Sequence, residues 1–119
     1  MTDNPVLTQS YAFALRVVRL YKYLTDEKKE FVMSKALLAA GTQIGARVKA
    51  AQEAEGFSNF IHEMKVALQR ASETEYWLEL LRDSDYLETK QYDSIHPDCV
   101  ELMKLLTAIT KPKGKPKTN

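Results

Sequence analysis

Residues 70–81 read RASETEYWLELL and lie at the centre of the most regular helical pattern in the chain. Apolar residues recur around it at intervals of three and four, which places them on one face of an α-helix. This first stripe has two polar members, Thr74 and Glu75. Its other members are Phe60, Ile61, Met64, Ala67, Leu68, Ala71, Leu78 and Leu81. A second stripe, about 120° around the helix, includes Val66, Trp77 and Leu80. The pattern predicts a long helix that is covered on two sides.

Three more helices are predicted around this one. With approximate ends, the four cover residues 8–24, 26–54, 59–83 and 94–110. Ser94 is the predicted cap of the last helix, with Pro97 in its first turn and a separate helical turn over residues 88–92. Short connections between four helices predict an all-α fold, an antiparallel up-down-up-down four-helix bundle. We expect one bundle domain over residues 1–110 and a flexible basic tail over residues 111–119.

The first helix is apolar on two faces as well. The face that we predict to lie in the core consists of Leu7, Tyr11, Ala14, Leu15, Val18 and Tyr21. Its other apolar face, together with the second stripe of the third helix, exceeds what a single bundle core needs. We therefore predict a homo-oligomer. The interface residues are Phe13, Val17, Leu20, Leu24, Val66, Trp77 and Leu80.

Composition and charge indicate an ordinary globular domain whose positive charge is concentrated at one end. The chain has 119 residues, 45% of them hydrophobic and 28% charged, as in an ordinary globular domain. Its formal charge is +1, but residues 111–119 carry four lysines and no acid. The rest has 13 basic residues against 16 acidic ones, a formal charge of −3. A domain that is basic throughout, as in many nucleic-acid-binding proteins, is therefore excluded.

The sequence also indicates the cellular compartment of the protein. Cys99 is the only cysteine, so no disulfide can form within the chain, and a reducing compartment is indicated. No apolar run is long enough to span a membrane, and the first residues lack the pattern of a signal peptide. We expect a cytoplasmic protein with no membrane partner.

No catalytic or metal-binding motif stands out. The two histidines, His62 and His96, belong to no His-Glu-x-x-His or Glu-x-x-His motif. Asp93 and His96 have a metal-like spacing, but a loop or cap role is the simpler interpretation of His96. Cys99 lies on an apolar helix face, where a small buried side chain is expected rather than a nucleophile. We therefore predict no enzyme activity, no catalytic residue, no metal site and no cofactor.

Two other features of the helices leave alternatives open. Gly41 and Gly45 lie one turn apart on the second helix, where they allow either tight helix packing or a gap for a ligand. Glu73, Glu75 and Glu79 form an acidic cluster, for which Arg70 and Arg82 on the same helix are partners at suitable spacing. Glu75 projects near the core, so we expect a structural ion pair with Arg47 or another basic side chain, although a functional acid is the alternative.

Basic residues provide the candidate binding surface. They could neutralise phosphates, although solvated helix faces are the usual explanation of such charges. The candidate nucleic-acid-binding residues are Arg16, Arg19, Lys22, Arg47, Lys49, Lys111, Lys113, Lys115 and Lys117. An oligomer would repeat a weak patch several times and so strengthen its binding.

The run from Ser72 to Leu81 resembles a known family, the four-helix bundle proteins encoded by intervening sequences in bacterial 23S ribosomal RNA genes. Further matching segments are GTQIGA at residues 41–46, EA at 53–54, FI at 60–61 and ELMKLL at 101–106. The resemblance implies a homo-oligomeric ring, a pentamer, of antiparallel bundles. The family is also similar in shape to the accessory protein of diversity-generating retroelements, which binds nucleic acid and a reverse transcriptase.

One position departs from that resemblance. The family usually has Asn after the Ile-Gly-Ala run, where this chain has Arg47. The contact made by that position must then differ here, and Glu75 is the partner that we expect for it.

Two functions remain in view. The first is a non-enzymatic, oligomeric four-helix bundle that binds RNA, DNA or a nucleoprotein, such as ribosomal RNA or a reverse transcriptase, through basic helix faces and the tail. The alternative is a protein-binding scaffold with no nucleic-acid role.

Overall fold

The computed structural model describes residues 4–112 and contains four α-helices in that range, with no β-strand. They are α1 (Pro5–Asp26), α2 (Met33–Gln52), α3 (Gly56–Asp83) and α4 (Thr89–Thr110). Each helix packs against its neighbour in sequence, and α1 makes a smaller contact with α4, whereas the backbones of α1 and α3 and those of α2 and α4 lie further apart. The all-helical fold with four helices is confirmed.

Helix α1 begins earlier than predicted. Asn4 is the N-cap, and its side chain accepts a hydrogen bond of 3.3 Å from the backbone N–H of Leu7. Pro5 is the first helical residue, a position where its missing N–H costs nothing because that N–H would have no partner in the helix.

The second helix begins later than predicted, at Met33 rather than at residue 26, because α1 continues through Asp26. The carboxylate of Glu30 accepts hydrogen bonds of 3.1, 2.9 and 2.7 Å from the N–H groups of Val32, Met33 and Ser34. Burial raises the pKa of Glu30, but these hydrogen bonds outweigh that effect and hold it below its usual value. A buried carboxylate thus caps the start of α2.

Helix α4 is one helix rather than a turn followed by a helix. It begins at Thr89 with a capping box, in which Glu88 and Gln91 each bond the backbone of the other. Pro97 therefore lies inside α4 and not in its first turn. Pro97 has no N–H for the helix ladder, and one of the nearby carbonyls, that of Ser94, accepts a hydrogen bond of 2.9 Å from Arg16 of α1.

The face of α1 that lies in the core is the one that we assigned to an interface. Phe13, Val17 and Leu24 are at most 1% exposed and belong to the core of this chain. Tyr11 and Leu15, which we predicted to face the core, are 67% and 41% exposed. The prediction reversed the two faces because their apolar spacing is the same and only the fit against α2 distinguishes them.

That fit involves the two glycines of α2. A Cβ atom at Gly41 would lie 2.8 Å from both γ-carbons of Val17, and one at Gly45 would lie 3.3 Å from the backbone oxygen of Ser10. Both distances are shorter than ordinary contacts, so the glycines allow α1 to approach α2 closely. Of the two alternatives for Gly41 and Gly45, tight packing is confirmed.

The first stripe of α3 lies in the core as predicted. Its fully buried members are Met64, Ala67, Ala71, Thr74, Leu78 and Leu81. Cys99 of α4 is buried against this stripe, and its thiol donates a hydrogen bond of 3.4 Å to the carbonyl of Ala71. Burial, reinforced by the charges of Glu75 and Glu79, raises the pKa of Cys99 to about 12. The thiol is therefore a structural side chain, as expected, and not a nucleophile.

Of the described helices, none has the length and apolar character required to cross a membrane.

Candidate nucleic-acid interface

A groove runs between α1 and α4, the two helices with the smallest mutual contact. Its volume is about 530 Å³, and it is lined by Arg16, Arg19, Leu20, Tyr23, Lys90, Gln91, Ser94 and Ile95. The four lining residues of α1 occur at intervals of three, one and three, so they share one helix face. Those of α4 occupy the first turn and the next one. The groove is thus formed by two helix faces that the fold brings together.

The lining is basic along its edges and apolar at its base. Three of the eight lining residues are cationic and none is acidic. Leu20, Tyr23 and Ile95 supply the apolar surface, with Ile95 buried and the other two partly buried. Arg19 and Lys90 are exposed. Cations above an apolar and aromatic surface suit a ligand that combines negative charges with flat, weakly polar groups.

Arg16 already has partners within the chain. Its guanidinium donates to the Ser94 carbonyl at 2.9 Å, to the Ser94 hydroxyl at 2.7 Å and to the Asp98 carboxylate at 2.8 Å. Asp98 neutralises much of its charge, so Arg16 fixes the position of α1 on α4. The free positive charge of the groove comes mainly from Arg19 and Lys90.

The other predicted basic residues lie elsewhere. Lys22 and Lys49 are exposed on α1 and α2, outside the groove lining. Arg47 bonds to Glu63 at 3.3 Å, across α2 and α3. Lys111 borders a separate cavity beside α4. The remaining predicted cations, Lys113, Lys115 and Lys117, lie outside the residues that the structure describes. The structure therefore brings together Arg16 and Arg19, but not the whole predicted set.

Sequence reasoning missed Lys90 and Tyr23 as members of the groove. Lys90 was not placed because the predicted fourth helix began at Ser94, whereas the real helix includes Lys90 in its first turn. The spacing of Glu88 and Gln91, which form the capping box, is the signal that could have identified the earlier start. Tyr23 lies one turn beyond Arg19 on the same face of α1, and the candidate set contains only cations.

Of the two expected kinds of partner for Glu75, Arg47 is wrong, and another basic side chain on a facing helix takes its place. Arg47 contacts Glu63, and Glu75 instead forms a contact of 2.9 Å with Nε2 of His96. His96 is therefore neither a loop nor a cap residue, because it lies inside α4 and joins that helix to α3. The registers of α3 and α4 bring the two side chains together.

Arg70 and Arg82 were both expected to pair with the acidic cluster of α3, and only one of them does so. Arg70 pairs with Glu73 at 2.6 Å, as the spacing predicted. Arg82 bonds to Asp83 at 2.8 Å rather than to Glu79.

Part of the predicted oligomer interface remains accessible. Three of its predicted members are buried within the chain, as described above, and so cannot contact another copy: Phe13, Val17 and Leu24. Leu20 borders the groove, and Val66 and Trp77 are partly buried. Leu80 is 36% exposed, and its neighbour Tyr76, which packs edge-on against Trp77 with ring centres 5.1 Å apart, is 57% exposed. The second stripe of α3 thus retains an apolar outer surface.

Comparisons with known proteins identify relatives of the whole fold. Residues 2–108 match the family described as 23S rRNA-intervening sequence protein. The chain is also similar to a crystal structure of a protein of unknown function from the S23 ribosomal protein family of Bacteroides thetaiotaomicron VPI-5482. The two sequences are 48% identical, the similarity covers 90% of this chain and 99% of the other, and the TM-score is 0.88. No curated protein matches the chain.

Proposed function

The chain belongs to the 23S rRNA-intervening sequence protein family, and we propose that it is a non-enzymatic, homo-oligomeric antiparallel four-helix bundle that binds single-stranded nucleic acid in the groove between α1 and α4. The observation that carries this proposal is the composition of the groove, which is lined by three cations and an apolar base with no acidic residue. Such a lining is unexpected in a chain whose residues before 111 have a formal charge of −3. Local positive charge of this kind favours a polyanion.

The geometry suggests how such a ligand would bind. Phosphates would contact Arg19 and Lys90, one on each helix, because these two cations are exposed. Bases or sugars would lie on the apolar surface of Leu20 and Tyr23, where an aromatic ring offers stacking without sequence preference. Arg16, held by Asp98 and Ser94, would set the width of the groove rather than supply much of the affinity.

Oligomerisation would make this modest site effective. Two or three phosphate contacts per copy give weak binding, but several copies in one assembly raise the overall affinity through effective concentration. The apolar outer surface of α3, at Tyr76 and Leu80, supports self-association. We propose that these contacts assemble a closed ring, which the resemblance to the ring-forming family would make a pentamer.

The family's description refers to 23S rRNA, and that of the Bacteroides relative to a ribosomal protein family. Neither description states a bound ligand, but both place the family beside ribosomal RNA, which makes RNA the first ligand to test. We propose RNA, or a nucleoprotein that contains it, as the natural partner, in a cytoplasmic setting.

A binding titration tests this proposal. Fluorescence anisotropy with labelled, mixed-sequence single-stranded RNA should show binding at low salt that weakens steeply as salt is added. The double variant Arg19→Ala/Lys90→Ala should reduce the slope of log affinity against log salt by about 1.4 per groove, since each single-strand phosphate contact contributes about 0.7.

The matched control removes the same charge outside the groove. Lys22→Ala/Lys49→Ala should bind nearly as the unchanged protein does. Equal losses in the two double variants would show that diffuse charge rather than the groove holds the ligand. A complete lack of RNA and DNA binding by the intact protein at low salt would overturn the nucleic-acid proposal.

A scaffold that binds only proteins is the second candidate function. It is favoured by the exposed apolar residues in the connection between α1 and α2, where Phe31 is 59% and Val32 is 78% exposed. Under this alternative, the chain would bind no nucleic acid, and Phe31→Ser/Val32→Ser would abolish capture of a protein partner without altering the anisotropy titration.

A further inference from the structure

Three metal-ligating side chains meet at the boundary between α3 and α4, away from the groove. Glu75 and Glu79 lie one turn apart on α3, and His96 faces them from α4. One ligand atom from each residue lies within 4.8 Å of the other two. We propose that these three residues bind one divalent transition-metal ion of the zinc class.

The chemistry of the three side chains selects this class of ion. Imidazole nitrogen and carboxylate oxygen are both donor types that zinc accepts, and three protein ligands would leave a fourth position for water. Mg²⁺ and Ca²⁺ prefer six or more oxygen ligands and have little affinity for imidazole. Cys99 lies close by, but its thiol donates to the Ala71 carbonyl, so we do not include it as a ligand.

The imidazole is held in place by neighbours that are not ligands. The ring of Tyr92 stacks on His96 with a centroid distance of 4.7 Å and an angle of 15°. The Arg82 guanidinium also lies over the Tyr92 ring, 4.2 Å from its centroid. Stacking on Tyr92 fixes the plane of the imidazole, and Nε2 is directed at Glu75, at a distance of 2.9 Å. Metal sites depend on such outer contacts to orient their ligands.

The negative charge of the cluster is only partly offset by nearby positive charge, because Arg82 lies near Glu79 but is bonded to Asp83. Two carboxylates one helical turn apart repel each other. Among residues 4–112, no basic side chain lies within ion-pair distance of Glu79, and Arg82, the nearest candidate by spacing, bonds to Asp83. The side chains of Glu75 and His96 are only 28% and 24% exposed, so water screens this repulsion incompletely. A divalent cation among the three ligands would neutralise both carboxylates.

Metal binding depends on the protonation of the three ligands. A metal ion can bind Nε2 of His96 only when that nitrogen carries no proton, and it can bind the two carboxylates only when they are ionised. Affinity for the metal is therefore expected to fall as the pH is lowered.

Cobalt and zinc binding to the whole protein tests the site. Co²⁺ should give a visible absorption band that zinc abolishes, with one ion bound per chain by calorimetry, and Mg²⁺ should not compete. Glu79→Gln and His96→Gln should each weaken binding at least tenfold. Glu79→Gln is the more informative variant, because Glu79 makes no ion pair whose loss could disturb the fold.

Two control variants change the same residue types outside the cluster. Glu73→Gln alters an exposed acid on α3, and His62→Gln alters the other histidine. Both should bind Co²⁺ as the unchanged protein does. The proposal is overturned if the unchanged protein gives no Co²⁺ band and no heat with zinc, or if Glu79→Gln and His96→Gln bind as tightly as the controls.

Discussion

Arg16 of α1 binds Ser94 of α4 through both ends of its guanidinium, at 2.9 Å to the backbone carbonyl and 2.7 Å to the hydroxyl. Asp98, one turn further along α4, accepts a third hydrogen bond at 2.8 Å. These contacts join the first and last helices beside Pro97, where the helix ladder lacks one N–H donor. A planar guanidinium can make all three contacts at once, which a lysine ammonium cannot do in the same arrangement.

Replacing Arg16 should therefore loosen the boundary between α1 and α4. We expect Arg16→Ala to lower the free energy of unfolding by about 1 kcal/mol, a modest value because the arginine is partly exposed to water. Arg16→Lys should recover less than half of the loss. Urea denaturation measures both changes, and Arg19→Ala, which removes a cation without an ion pair, is the control. Full recovery with lysine would show that charge alone matters.

The cap of α2 should make stability depend on pH. The pKa of Glu30 is held below its ordinary value of 4.5, so its contribution to stability is complete above that pH and is lost as the pH falls through the lowered pKa. Glu30→Gln should cost about 1–2 kcal/mol at neutral pH and flatten the acid side of the stability profile. Thermal unfolding at several pH values measures this. Glu27→Gln, at an exposed neighbouring acid, should leave the profile unchanged.

The close approach at Gly41 predicts a specific rescue. Gly41→Ala places a methyl group 2.8 Å from Val17, and we expect it to destabilise the protein by about 1–3 kcal/mol despite the better helix propensity of alanine. In a Val17→Ala background, the same glycine change should be neutral or stabilising. A double-mutant cycle by denaturant unfolding measures the coupling. Additive effects of the two changes would contradict the predicted contact.

The outer surface of α3 should control assembly. Tyr76→Asp/Leu80→Asp places charges on exposed apolar positions, and we expect it to shift sedimentation toward the monomer without reducing helix content. Tyr11→Asp, at an exposed aromatic on α1, is the matched control and should leave the oligomer intact. If the unchanged protein sediments as a monomer at micromolar concentration, the predicted interface does not exist.

Periodicity alone was enough to place α3 and its core side chains. Its first stripe is longer and more apolar than its second, so the buried face was unambiguous from Met64 to Leu81. For α1 the two apolar stripes have equal spacing and similar bulk, and a choice between them needs the shape of α2. The decisive feature is the space that Gly41 leaves for Val17. This contact joins two helices, so the sequence of α1 or of α2 alone does not predict it.

The composition of the candidate sites also depends on how the helices are placed against one another. Arg16 and Arg19 could be assigned to one face of α1 from their spacing. Their combination with Lys90, and that of Glu75 with His96, depends on where α4 starts and how it is aligned with its neighbours. The late predicted start at Ser94 left Lys90 outside the helix. His96 was inside the predicted helix, but its contact with Glu75 depends on the register of α4 against α3.

The small contact between α1 and α4 has a consequence for folding. The other helix pairs are adjacent in sequence and can form as local hairpins, so closing the first helix onto the last is the one step that joins distant parts of the chain. We expect this closure to come late in folding and its opening to come early in unfolding. A ligand that bridges the groove holds this boundary shut. Its binding should therefore slow unfolding, and α1 and α4 should gain the most hydrogen-exchange protection when it is present.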